Sequence, residues 1–155
     1  MRLFVFSETF LQIYGKGGDL MTIEQLLGIR EGEAGLANYL GVHEVRVGND
    51  GSVAVDMKIT KDHLNPRGMV HGGTISALCD IAIGCYHASR GEEAVALSSE
   101  LHFFKPGLDG STLTATVYER KKGHTICTFL IEVRDDSGRH VADGMYTTYK
   151  SGNKE

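Results

Sequence analysis

Two features of this 155-residue sequence carry the ingredients of carbonyl chemistry. The first is Asp80, the one formally charged residue between Gly72 and Ser89. An ionised carboxylate in a buried helix costs several kcal/mol unless hydrogen bonds or a function hold it there, so its presence asks for a reason. Its simplest alternative is an Asp that bonds a neighbouring group across an interface. The second feature is His71-Gly72-Gly73, immediately before the same apolar run. The start of a helix offers unpaired N–H groups and the positive end of the dipole, and glycines let a ligand oxygen reach that backbone. Gly72 and Gly73 thus read as an oxyanion hole, or as a tight turn that needs glycine.

Spacing ties the two together. Eight residues of helix separate Gly72 from Asp80, about 12 Å of rise, too far for both to touch one carbonyl. Two copies of the chain packed with antiparallel helices would bring them together, which predicts a two-fold dimer with shared sites. Asn65, six residues before His71, is placed to orient a water or polarise a carbonyl, although Asn before Pro66 is also ordinary turn chemistry. His71 is either a base or a ring that braces the loop.

Other chemistries find less support. The seven His include no H-x-x-x-H pair or second ligand cluster, so no metal is expected, and G-x-S-x-G is absent. Ser98 and Ser99 sit in a strand, where packing accounts for them. Arg120-Lys121-Lys122, with Lys105, Arg67 and Lys150, are candidate grips for a nucleotide phosphate, and His124 lies beside the Lys122-Gly123 turn. Each alone is more simply a solvated cation.

The elements that must position these residues follow from periodicity. His71 to Arg90 reads as one long helix, with Ile75, Leu78, Cys79, Ala82, Cys85 and Tyr86 on one face and Gly73, Ala77, Asp80 and Gly84 on a second, small-residue stripe. Before it, a capping box at Thr22/Gln25 predicts a short helix, residues 35–40 a second, and strands from Val42 to Val47 and Val53 to Ile59 flank a Gly48–Gly51 turn. After it come four strands: Ala94 to Lys105, Ser111 to Arg120, His124 to Arg134 and His140 to Lys150. Val95/Leu97/Leu101/Phe103, Leu113/Ala115/Val117 and Ile126/Leu130 are their expected apolar faces. Long strands at hairpin spacing imply an antiparallel sheet, curved around the only long helix.

The length suits one domain, and a net charge of −4 argues against nucleic acid or an anionic membrane as a partner. Cys79, Cys85 and Cys127 form no C-x-x-C pair and read as core residues in a reducing cytoplasm. No apolar run is long enough to cross a bilayer. Residues 1–20 show neither helical nor strand periodicity and end in a Gly-rich stretch before Met21. They read as a translated leader ahead of a start at Met21 or as a flexible arm, with a single domain over residues 21–155.

Asn65-Pro66-Arg67-Gly68-Met69-Val70-His71-Gly72-Gly73, then Leu78-Cys79-Asp80, then Phe103-Phe104-Lys105-Pro106-Gly107 resemble the hotdog-fold acyl-CoA thioesterases, in the group of the phenylacetate-pathway (PaaI-like) enzyme. The similarity runs over roughly residues 35–150. It implies an α+β hotdog fold, an antiparallel sheet wrapped around one long central helix. It further implies that the Gly72 N–H polarises a thioester carbonyl and that Asp80 of the facing subunit acts as general base or nucleophile. Asn65 would position the water or carbonyl. The substrate would be a small or aromatic acyl-CoA, with coenzyme A as part of the substrate and no separate cofactor, in a homodimer or dimer of dimers. Two positions depart from wider relatives: Gly84 stands where several carry Ser or Thr, although the phenylacetate group also tends to be small there, and Ala96 stands where many carry Thr or Ser, a contact that is then missing or comes from Ser98. These gaps keep open a non-catalytic acyl-CoA binding or sensing protein.

Overall fold

The computed structural model describes residues 2–5, 10–14, 26 and 35–151. After strands β1 (Arg2–Val5) and β2 (Phe10–Tyr14) come the short helix α1 (Leu36–Tyr39), β3 (Val42–Gly48) and β4 (Val53–Lys58). A 3-10 turn (Lys61–His63) leads to the long helix α2 (Gly72–Ala88), followed by β5 (Ala94–Phe103), β6 (Thr112–Lys122), β7 (Ile126–Asp135) and β8 (His140–Lys150). All pairings are antiparallel, in the order β1-β2-β3-β4-β6-β7-β8-β5. Strands β3 to β8 are the six expected from alternation. Residues 2–5 and 10–14, which show no clean strand period, extend the sheet beyond β3. The helix expected from Thr22 lies outside the described residues apart from the buried Leu26.

Helix α2 packs across the concave face of the sheet. Ile75, Leu78, Cys79, Ala82, Cys85 and Tyr86 are all buried, against Val53, Val55 and Met57 of β4, Leu113, Ala115 and Val117 of β6, and β7. Burial of that stripe supplies the main drive for the helix to dock, at about 25 cal/mol per Å² of apolar surface. The Gly48–Gly51 hairpin turn forms as the sequence predicts, with Gly51 at φ +82°, a value that a side chain disfavours.

Two strand faces differ from expectation. In β7 the buried set is Cys127, Phe129, Ile131 and Val133, whereas Ile126 is 42% exposed and Leu130 half-buried. Both faces of this strand are apolar, so alternation alone cannot choose, and pairing of Ile131 with Val117 and Val133 with Ala115 fixes the parity. In β5 a bulge between Ala96 and Ser98 makes Leu97 the extra residue, so Val95, Leu97, Leu101 and Phe103 do not share one face. Strand β5 is also the free edge of the sheet, and most of its side chains are exposed.

Candidate active site

The segment entering α2 is braced at each step. His63 Nδ1 accepts from the Thr60 N–H at 3.0 Å, and Leu64 bridges Val70. Within this loop the Asn65 Oδ1 accepts from the N–H groups of Arg67 (2.9 Å) and Met69 (3.3 Å). Asn65 is therefore a turn residue, and its NH2 has no partner among the described residues. The Val70 N–H donates to the Gly107 carbonyl (3.0 Å), and a Cβ on Gly107 would come within 2.8 Å of Val70 Cγ2. Glycine thus lets the Lys105-Pro106-Gly107 segment close onto the helix entry.

His71 is the cap of α2, with extended backbone (φ −62°, ψ 135°). Its Nδ1 accepts from the Gly73 N–H at 3.1 Å and its carbonyl accepts from Thr74 and Ile75. The ring braces the helix start, which places its proton on Nε2. With the Gly73 N–H so engaged, the Gly72 N–H is the first-turn donor with no partner among the described residues. The half-exposed ring of Phe103 borders it, 3.5 Å from where a Gly72 Cβ would stand.

Asp80 lies two turns along, on the side of α2 away from the sheet, and is exposed in the single chain. Most of α2 is covered, but along the second stripe Gly73 and Asp80 are exposed and Ala77 and Gly84 only half-buried among the described residues. Partial desolvation by its neighbours nonetheless holds the Asp80 carboxyl above the ordinary carboxylate range. A partly desolvated carboxylate is a stronger base, and an open helix-start N–H stabilises negative charge developing on an oxygen. The two remain about 12 Å apart along the helix of one chain.

The cationic set is divided. Arg67 and Lys105 lie exposed at the N-terminal end of α2. Lys121, Lys122 and His124 lie at the other end, about 24 Å along the helix, where Lys122 pairs with Glu92 at 2.9 Å. Beside them opens a cleft of about 520 Å³ lined by Ser52, Tyr86, Arg90, Tyr118, Glu119 and Arg120 among others. Arg90 is engaged there, 3.6 Å above the Tyr86 ring and donating to the Tyr86 and Gly51 carbonyls. Ser98 pairs with Thr147, on the outer face of the sheet; its neighbour Ser99 pairs with the inward-facing Tyr146.

Among the described residues His43, Glu44 and Asp56 come close enough to hold a metal ion, but Asp56 already receives Arg46 at 2.5 and 2.8 Å and Thr114 at 2.7 Å. The three thiols are buried and unpaired, and burial pushes those of Cys79 and Cys85 up to about 12, which leaves them unreactive. No helix among the described residues is long and apolar enough to cross a membrane.

A curved antiparallel sheet around one long helix, with an open N–H at the helix start, defines a hotdog-fold protein. Residues 67–142 match the model of the thioesterase superfamily. Over 106 residues the chain is 33% identical to the acyl-coenzyme A thioesterase PaaI of Escherichia coli, covering 68% of this chain and 75% of that one. It is 31% identical over 101 residues to a relative from Archaeoglobus fulgidus, covering 65% of this chain and 66% of that one. The solved structure of the E. coli PaaI protein superposes with a TM-score of 0.70, covering 75% of this chain and 83% of that one at 31% identity. A Streptococcus pneumoniae thioesterase protein solved with coenzyme A gives 0.67 at 29% identity, covering 72% and 88%. The chain belongs to the thioesterase superfamily, in its PaaI-like hotdog group, and is by that membership a thioester hydrolase.

Proposed function

We propose that the chain is an acyl-CoA thioesterase for small or aromatic, phenylacetyl-like acyl groups, working as a homodimer with shared sites that pairs further into a dimer of dimers. The observation that carries this is the open Gly72 N–H and the uncovered Asp80 on one helix, each incomplete alone. With two helices antiparallel, Gly72 of one protomer meets Asp80 of its partner. The Gly72 N–H then holds the thioester carbonyl oxygen as it becomes negative. Asp80 takes a proton from water as the water oxygen bonds to the carbonyl carbon, the C–S bond breaks and the thiolate leaves with that proton. In the alternative, Asp80 itself bonds to the carbonyl carbon, the thiolate leaves, and water then hydrolyses the acyl–Asp80 anhydride and supplies the thiol proton. Asn65 offers its free NH2 to the water or carbonyl, and Gly73 gives the acyl group backbone room. His71 braces the donor. Arg67 and Lys105 lie on the same side as the donor, while Lys121, Lys122 and His124 would serve the partner's site across the dyad. The chemistry needs no metal, and its setting is cytoplasmic.

The test is thiol release from phenylacetyl-, hydroxylated aryl- and straight-chain acyl-CoAs by wild type and Asp80→Asn. Aromatic turnover by wild type that is lost in a still-dimeric Asp80→Asn supports the reading. Binding without turnover by both proteins favours the non-catalytic binder, which the small residues at Gly84 and Ala96 support.

A further inference from the structure

Phe103, the last residue of β5, is 51% exposed although it lies on the helix side of the sheet, where its cross-strand partner Ala142 is fully buried. Its ring reaches the start of α2. The ring carbons Cζ, Cε2 and Cε1 stand 3.5, 3.7 and 3.8 Å from where a Cβ of Gly72 would be. The space beside the Gly72 backbone is thus bounded by an aromatic ring, and the Gly72 N–H has no partner among the described residues. A half-open apolar wall next to a single placed donor is the composition of a small-molecule site.

The strand explains why this ring, and not a neighbour, stands there. Leu101, two residues earlier on the same face, is half-buried against the core and closes onto β8: a Cβ on its partner Gly144 would come within 2.7 Å of Leu101 Cδ2. Opposite Phe103 the partner side chain is only the methyl of Ala142, so the ring is free to extend toward α2. The next ring along, Phe104, goes elsewhere, stacked with His102 at 6.4 Å and tilted against His140 at 5.1 Å.

We propose, on the hydrolase reading above, that Phe103 is a specificity-determining residue whose ring walls the acyl pocket and favours aromatic acyl groups. With the thioester oxygen on the Gly72 N–H, two branches leave the carbonyl carbon. The sulfur branch leads to the polar coenzyme A chain, for which Arg67 and Lys105 offer exposed charge at this end of α2. The acyl branch is the apolar one, and a phenyl ring without polar atoms gains from burial only against such a group. An aromatic acyl group can also meet the ring edge-to-face or offset, which a straight chain cannot do.

The experiment compares kcat/KM for phenylacetyl-CoA with that for hexanoyl-CoA in wild type, Phe103→Leu, Phe103→Tyr and Phe104→Leu, each checked for assembly by gel filtration. Phe103→Leu keeps apolar bulk and loses the ring, so the aromatic-to-straight-chain ratio should fall about 3- to 10-fold. Phe103→Tyr keeps the ring, and its ratio should stay within about twofold of wild type, as should that of Phe104→Leu. An unchanged ratio in Phe103→Leu, with both thioesters still hydrolysed, overturns this inference alone, as does an equal fall in Phe104→Leu. Loss of the wild-type assembly in Phe103→Leu also overturns it, by placing the ring in a subunit interface instead. A wild type that hydrolyses hexanoyl-CoA but not phenylacetyl-CoA overturns the aromatic preference and leaves the hydrolase standing. A wild type that hydrolyses neither overturns the hydrolase reading and this inference with it.

Discussion

At the C-terminal end of α2, His87 is 2% exposed and bonded on both sides, to Glu92 and to Thr148 at 3.0 Å each. Glu92 is in turn held by Lys122 at 2.9 Å and Lys150 at 3.8 Å, and Arg90 closes onto the last turn. At the N-terminal end, the Gly72 N–H and the Asn65 NH2 have no partners among the described residues, and Asp80 is uncovered. Taken as residue types, the first end is the more suggestive, since a Thr-His-Glu chain has the composition of a catalytic triad. Its groups satisfy one another, with His87 and Thr148 buried, so they lock the helix to β8 and the start of β5. On the proposed function the incomplete end holds the chemistry, because only an unsatisfied donor or an uncovered base has anything left to offer a substrate.

The largest expected break in this contrast is at the open end. Asp80→Asn should lower kcat by about 10²- to 10⁴-fold, the usual worth of a general base, with little change in melting temperature. In wild type the acid limb of the pH–rate profile should lie above the ordinary Asp range, since activity requires the ionised form and burial raises this group. Melting curves and a pH–rate series check both.

The sealed end should behave the other way. His87→Ala should cost about 2–3 kcal/mol by leaving Glu92 and Thr148 without their partner, while kcat of the folded protein stays near wild type. Burial holds the His87 pKa below its ordinary value. The unfolded chain therefore takes up the proton first, and stability should fall as pH drops below about 6.5, levelling once the folded pKa is passed. A melting series from pH 8 to 5 should show that slope in wild type and its loss in His87→Gln. The smallest effect is expected from removing residues 1–20. Among the described residues β2 meets β3 through Phe10↔Gly48 and Leu11↔Val47, so a chain starting at Met21 should keep its activity and melt within about 2 °C of the full chain.

Much of this contrast is legible in the sequence, and the remainder is not for definite physical reasons. The existence and order of helix α2 and strands β3 to β8 follow from helical and alternating periods in the sequence. Asp80 and Gly72 stand out because their surroundings are apolar and small. The parity of β7 is hidden because both of its faces are apolar, and that of β5 because a bulge leaves no mark in alternation. Lys122 looks free in sequence, since its partner Glu92 is 30 residues away and meets it only once β6 passes the end of α2. The uncovered state of Asp80 is equally invisible, because helical periodicity describes one chain and not what covers its second face.

The central claim, that one site is built from two chains, is tested most directly by mixing two inactive variants. Asp80→Asn removes the base. Gly72→Pro removes the donor at the first helical position, where proline is tolerated and the extended His71 before it suits proline. Denatured together in equal amounts and refolded, they should form mixed dimers in which one of two sites is intact, restoring about one quarter of wild-type thiol release under two-fold symmetry. Activity no greater than the sum of the separate variants would contradict the claim and place donor and base within a single chain.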